Sequence, residues 1–176
     1  MNNIIVDLKR KPLSGSEIRE ATDDEMKILT YKSLSRFKNI DDAFGDKNSI
    51  ALLYETKPRY GHWVGLYRHP EGVIEFFDPY GFFIDDQLNF MDKEFKHELG
   101  GDYPYLSKLL YNSPYEIIYN SDKLQKQKKG ISSCGRHVVL RHIASHIPLH
   151  EYSKLLKSNV SINNPDELVT YLTAFI

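Results

Sequence analysis

The chain has 176 residues, 41% of them hydrophobic, with 23 basic against 24 acidic side chains and a net charge of −1. That length supports one domain with a core of its own, and the near-neutral charge gives no general attraction to nucleic acid or an anionic membrane. The single cysteine excludes an internal disulfide and fits a reducing compartment, no apolar run reaches the roughly 18 residues of a membrane span, and the N-terminus has neither the basic region nor the apolar run of a signal peptide.

In chain order, residues 13–48 read as helical and polar. Ser16 and Thr22 stand as caps, and Met26, Leu29, Leu34 and Phe37 form an apolar stripe. Residues 41–44 followed by Gly45 look like a short helix and its stop. From Ser49 the texture changes. Residues 50–54 are a continuous apolar run, as in a strand buried on both faces. Residues 62–67 and 73–77 read as two further strands. The turn between them, residues 68–72, has the composition of a hairpin connector. Residues 85–95 and 104–111 are expected to be helical, and residues 115–119 to form another strand. A basic polar loop, residues 120–129, then leads to the cysteine; its lysines read as a solvated surface.

The cysteine segment carries the chemistry. Ser132 or Ser133 can cap a helix that begins at Cys134, and Val139, Ile143 and Ile147, with Leu140 and Ala144, supply an apolar face before Pro148 stops it. Cys134 then sits in the first helical turn. Unpaired N–H groups and the helix dipole favour a thiolate there, and a thiolate is the better nucleophile. Gly135 after it leaves room for the close approach of a backbone such as a substrate's. In the hairpin, His62 begins one strand and Asp78 follows the end of its partner, so both reach the same end of the sheet. A carboxylate there fixes the imidazole tautomer and leaves the other ring nitrogen to act as a base. A glutamine upstream of the cysteine, Gln125 or Gln127, can donate its amide to a developing oxyanion, with the Cys134 N–H as second donor. His142, His146 and His150 recur at spacing four, but Pro148 separates the last from the others and no metal ligand set is expected. The C-terminal Asn164-Pro165-Asp166-Glu167 is a helix start whose apolar face is Leu168, Leu172 and Phe175.

Taken together, Gly61-His62-Trp63, Phe76-Phe77-Asp78-Pro79-Tyr80-Gly81, Leu124-Gln125 and Ser133-Cys134-Gly135-Arg136-His137 resemble the adenovirus maturation protease and the wider SUMO-protease-like superfamily of cysteine peptidases. Within that superfamily the look is that of proteases of virophages, giant viruses and adenovirus-like DNA transposons. The resemblance covers about residues 50–142, and its strength is the order His, Asp, Gln, Cys. It implies an α+β, papain-like domain in which the nucleophile helix packs on a mostly antiparallel sheet. An N-terminal helical part (1–48), a catalytic core (49–147) and C-terminal helices (148–176) would make up the one domain. It implies a thiol peptidase with Cys134 as nucleophile, His62 as base, Asp78 orienting it, Gln125 in the oxyanion hole and Trp63 shielding the pair from water. Gln125 is preferred to Gln127 because Leu124 can anchor its segment in the core. The implied substrate is a capsid or other virion precursor protein, cleaved in the virion or the host cytoplasm, without metal, cofactor or membrane. Deubiquitinase or SUMO-type isopeptidase activity is the alternative from the same superfamily, and an inactive binding module a third. Activation by a disulfide-linked peptide is excluded, since no second cysteine exists, and the charge offers no support for activation by DNA. Leu99-Gly100-Gly101 resembles sites that such enzymes cleave, which raises the idea of self-cleavage.

Overall fold

A computed structural model describes residues 3–159, 161–162 and 164–176. In order, the elements are α1 (Asn3–Arg10), α2 (Gly15–Ala21), β1 (Met26–Thr30), a 3-10 helix (Tyr31–Arg36), α3 (Ile40–Phe44), β2 (Ser49–Lys57), β3 (Tyr60–His69), β4 (Val73–Phe77), a second 3-10 helix (Asp86–Phe90), α4 (Tyr105–Tyr111), β5 (Glu116–Tyr119), α5 (Cys134–Ile143), α6 (Leu149–Lys157) and α7 (Pro165–Leu172). The architecture is α+β, built on a five-stranded mixed sheet of order β1-β2-β3-β4-β5.

The centre of the sheet is the expected antiparallel meander, β2 against β3 and β3 against β4. Both edges are parallel: β1 pairs with β2, and β5 with β4. The sheet is therefore mixed, not mostly antiparallel. Parallel neighbours need a crossover connection, and the chain supplies two. Residues 31–48 lie between β1 and β2, and residues 78–115 between β4 and β5.

Side-chain alternation along the strands divides the core in two. Leu52, Tyr54, Val64, Leu66, Ile74 and Phe76 join a cluster covered by α3, α4 and both 3-10 helices. Ala51, Trp63, Tyr67 and Phe77 join the other, beneath α2, α5, α6 and α7. Full burial of each large apolar side chain contributes about 1.5–3 kcal/mol, so both faces anchor the sheet strongly.

Several expectations for local structure are corrected. Residues 13–48 are not helical throughout, because Met26–Thr30 forms β1. Pairing with β2 overrides a weak helical spacing in a five-residue run. The cap of α2 is Ser14, not Ser16: Ser14 Oγ accepts from the Glu17 N–H at 3.2 Å and the Ser14 N–H donates to Glu17 Oε2 at 2.8 Å, a reciprocal capping box. Thr22 stands at the C-terminal end of that helix. Residues 85–95 yield only the short 3-10 helix. Asp85 there adopts φ +66°, and its carboxylate accepts from Tyr54 OH and the Ser107 N–H, both at 2.9 Å.

Of the expected apolar face of α5, Val139 is buried and Leu140, Ala144 and Ile147 pack against the same cluster, while Ile143 is 50% exposed and the helix ends there rather than at Pro148. The buried side is wider than apolar periodicity indicates, because it also carries His137 and Arg141. Arg141 is fully enclosed and donates to Glu75 Oε1 at 2.6 Å and Oε2 at 2.8 Å. In α7, Leu168 and Val169 pack inward while Leu172 is exposed, as is Phe175 beyond the helix end. Leu99 belongs to the core, so self-cleavage after it would require that segment to leave the fold.

Candidate active site

The hairpin register pairs Gly65 with Phe77. His62 thus runs past the end of β4, where Asp78 follows. His62 Nε2 lies 2.8 Å from Asp78 Oδ1, and both residues are buried. A carboxylate can only accept, so Nε2 carries the proton and Nδ1 is left to work. Nδ1 is enclosed and has no hydrogen-bond partner.

Asp78 is itself held on every side. Its Oδ1 accepts the Tyr80 N–H at 2.8 Å, and its Oδ2 accepts from Gln87 Nε2 at 3.1 Å. Asn120 clasps its backbone, accepting the Asp78 N–H at 2.9 Å and donating to the Asp78 carbonyl at 2.7 Å. The Tyr80 ring stacks on His62 with centroids 4.0 Å apart and planes within 9°. These contacts restrain the carboxylate and the imidazole against rotation.

Cys134 opens α5 and is 6% exposed. Burial works against its thiolate, pushing the pKa up. The neighbouring His62 imidazole, with the backbone N–H groups of Trp63 and Gly135, outweighs it and holds the thiol below its ordinary value. Burial likewise works against the His62 imidazolium, but the Asp78 charge and hydrogen bond, then Cys134, raise its pKa to about 9. Each group favours the charged form of the other, the condition for a thiolate–imidazolium pair.

The cleft beside Cys134 has a volume of about 490 Å³ and is lined by Leu13, Ile28, Leu53, Trp63, Tyr80 and Gln125 among others. The Leu124 and Gln125 N–H groups both donate to the Pro79 carbonyl, at 3.0 and 2.8 Å. This staples the segment to the turn after Asp78, with Leu124 buried in the core below Cys134. Gln125 is 1% exposed, and its Oε1 is buried without a partner. Gln127 is exposed and absent from the cleft lining. The structure therefore brings Gln125, and not Gln127, to the cysteine.

Trp63 lines the cleft and donates from Nε1 to the Leu13 carbonyl at 2.9 Å. At Gly135 a Cβ would lie 3.0 Å from Leu13 Cβ and 3.4 Å from Trp63 Cδ1, so the chain's own Leu13 packs closely there. Among the described residues no three His, Cys, Asp or Glu side chains group as a metal site, and His142 contacts Ser49 and Glu25.

No family model matches the chain. A curated relative, "Uncharacterized protein V9" of Sputnik virophage, is 37% identical over 163 residues, which is 92% of this chain and 93% of that protein. The chain belongs to the virophage V9 protein family. A solved structure, the "Central domain of uncharacterized Lpg1148 protein from Legionella pneumophila", is 18% identical. It covers 99% of this chain and 94% of its own at a TM-score of 0.36, too low to carry an argument about the fold.

Three residues that hold this V9-family site escaped sequence reasoning, Tyr80, Gln87 and Asn120, as did the buried Asp166 nearby. Tyr80 lay inside the Phe-Phe-Asp-Pro-Tyr-Gly run, which was its one available signal. Gln87 and Asn120 sat in segments whose composition reads as ordinary helix and loop. Asp166 read only as a helix-start residue, yet it is wholly buried. No helix of the described residues is long and apolar enough to cross a membrane.

Proposed function

We propose that this V9-family chain is a cysteine endopeptidase of papain-like architecture, of the adenovirus-protease and SUMO-protease type, which cleaves capsid or other virion precursor proteins during particle maturation. The observation that carries this reading is the His62 ring, with Nε2 on Asp78 at 2.8 Å and Nδ1 free, mutually charged with a Cys134 thiol whose pKa is lowered. The order of His62, Asp78, Gln125 and Cys134 along the chain supports it, with Gln125 and Cys134 lining one cleft, and the family's virophage member supports a substrate made during particle assembly.

The chemistry follows from the geometry. The Cys134 thiolate attacks the scissile carbonyl carbon, and the C=O electron pair moves onto oxygen. The Cys134 N–H and the Gln125 amide N–H group stabilise that oxyanion, a contribution of about 10²–10³ in rate for one donor. The His62 imidazolium gives its proton to the leaving amine as the tetrahedral species collapses to a thioester. Water, deprotonated by neutral His62, then attacks the thioester and releases the acid and the thiolate. Asp78 holds the ring and its charge throughout. Trp63 covers one side of the pair. No metal or cofactor takes part in these steps, and a reducing compartment, such as the host cytoplasm or the virion interior, keeps the thiol competent.

The test is cleavage by the purified wild type and by Cys134→Ala. Substrates are a capsid precursor encoded in the same genome, and ubiquitin and SUMO carrying C-terminal fluorophores. Capsid cleavage that disappears in Cys134→Ala is expected. Cleavage of the modifiers alone would transfer the chain to isopeptidase chemistry, and cleavage of neither by the wild type would contradict the endopeptidase reading.

A further inference from the structure

One buried carboxylate outside the catalytic set touches the chain neighbours of both Cys134 and Gln125. Asp166, in the first turn of α7, is wholly enclosed. Its Oδ1 accepts from Ser133 Oγ at 2.6 Å and lies 3.2 Å from His137 Nε2. Its Oδ2 accepts the Lys126 N–H at 3.0 Å. Ser133 immediately precedes Cys134, and Lys126 immediately follows Gln125. A single side chain therefore joins the start of the nucleophile helix to the segment bearing the oxyanion donor.

Each partner is used in an informative way. Ser133 stands at the N-cap of α5 but its hydroxyl makes no cap bond; it is turned to Asp166 instead. The segment from 120 to 133 has no regular structure. Apart from Asp166, Gln125 is fixed through the Pro79 carbonyl on the β4 side. Pro79 ties Gln125 to the His62–Asp78 half of the site, and Asp166 ties it to the Cys134 half. Asp166 is itself held in place. Its N–H donates to Asn164 Oδ1 at 3.1 Å, and its carbonyl accepts from Thr170 Oγ1 at 2.6 Å. A buried carboxylate is costly unless its oxygens are satisfied. Here the start of a helix and these donors satisfy it.

We propose that Asp166 is a positioning residue that sets the separation between Cys134 and the Gln125 amide, so that the oxyanion hole exists before the substrate arrives. The inference rests on the protease reading. It makes α7 part of the working site although it contributes nothing to the cleft lining.

The test compares wild type, Asp166→Asn, Gln125→Ala and the double variant. Two readouts are used: hydrolysis of a fluorogenic peptide amide with glycine before the scissile bond, and alkylation of Cys134 by iodoacetamide. Alkylation forms no carbonyl oxyanion and reports only on the thiol and His62. A displacement of about 1 Å costs about 10²-fold, so kcat of Asp166→Asn should fall by up to about 10²-fold. KM and the alkylation rate should stay within about twofold. In the Gln125→Ala background the added loss from Asp166→Asn should vanish, because the two act through one group. A folded Asp166→Asn with unchanged kcat overturns the inference, as does full additivity, or an alkylation rate that falls in step with kcat. If Asp166→Asn does not fold, Ser133→Ala carries the test, since it removes one bond and leaves the charge. A fall in kcat without a fall in alkylation supports the inference, and an unchanged kcat overturns it. A wild type that hydrolyses no peptide removes the protease reading and this inference together, whereas an active wild type with an indifferent Asp166 removes the inference alone.

Discussion

The two faces of the sheet are filled by different chemistry. The face beneath α3 and α4 is closed by Leu52, Val64, Leu66, Ile74 and Phe76, packed on further aliphatic and aromatic side chains. On the α5 face, buried charge and polarity run through the packing: Glu75 with Arg141, Asp166 with His137 and Ser133, and Arg136, whose Nη1 donates to the Thr173 carbonyl at 2.6 Å. Apolar packing is non-directional and tolerates small rotations of a helix. Directional bonds between buried charges do not, and they fix both the rotation and the height of α5. Cys134 lies on the face where position is fixed in this way, while His62 and Asp78 stand at the end of the β3–β4 hairpin. The apolar face supplies stability without setting where Cys134 stands.

The largest separation between the proposed site and the apolar core should appear in catalysis. His62→Ala is expected to lower kcat/KM for peptide hydrolysis by about 10²–10⁴-fold, with a urea midpoint near that of the wild type. Leu66→Ala should do the reverse, unfolding more easily by about 2–5 kcal/mol while its folded form alkylates at the wild-type rate.

The ion pair gives the next contrast. Arg141→Met alone strips buried Glu75 of its bidentate partner and leaves it only the His69 contact at 3.1 Å, and should cost about 3–5 kcal/mol in urea unfolding. Replacing both, with Glu75→Leu added, should recover most of that loss. No comparable second change rescues Leu66→Ala, because what is lost there is volume. Failure of the double variant to recover would contradict the view that the pair acts mainly through orientation.

Smaller effects follow in the cleft. Gln125→Ala should lower kcat by about 10²–10³-fold with little change in KM, whereas Gln127→Ala, in the exposed part of the loop, should match the wild type. Gly135→Ala places a methyl 3.0 Å from Leu13 Cβ. It should cost about 1–3 kcal/mol by overpacking, read as a lower Tm.

How much of this was legible in the sequence depends on which face is considered. The hairpin was plain, because continuous apolar runs at 62–67 and 73–77 bracket a turn of polar residues and glycine. His62 and Asp78 could therefore be brought together by counting along two strands. The start of α5 at Cys134 was equally plain from its serines and glycine. The burial of Arg141 and His137 was not, since charged side chains read as outward-facing until Glu75 and Asp166 are seen opposite them. β1 was missed for a related reason: its strand character comes from a partner, β2, twenty-odd residues later. Asp166 lies 32 residues beyond Cys134, and nothing local in Asn-Pro-Asp-Glu separates a buried carboxylate from an ordinary helix start. Sequence spacing carries local periodicity and short hairpins well, and it carries long-range polar pairing poorly.

The central claim is that Cys134 and His62 form a thiolate–imidazolium pair, and its most direct test is the pH dependence of Cys134 alkylation by iodoacetamide. His62 is raised from the usual 6.5 to about 9. Its charged form therefore stabilises the fold fully below 6.5, and this contribution is lost as pH rises through about 9. Cys134 is lowered from the usual 9.0, so its thiolate contribution is lost as pH falls through that lower value. Between the lowered thiol pKa and about 9 both charges are present. The expected result is an alkylation rate at pH 7 above that of a free thiol, with a titration midpoint below 9.0. In His62→Ala that midpoint should move upward, since burial is then opposed only by the Trp63 and Gly135 N–H groups. A wild-type midpoint at or above the ordinary thiol value, indifferent to His62→Ala, would contradict the account.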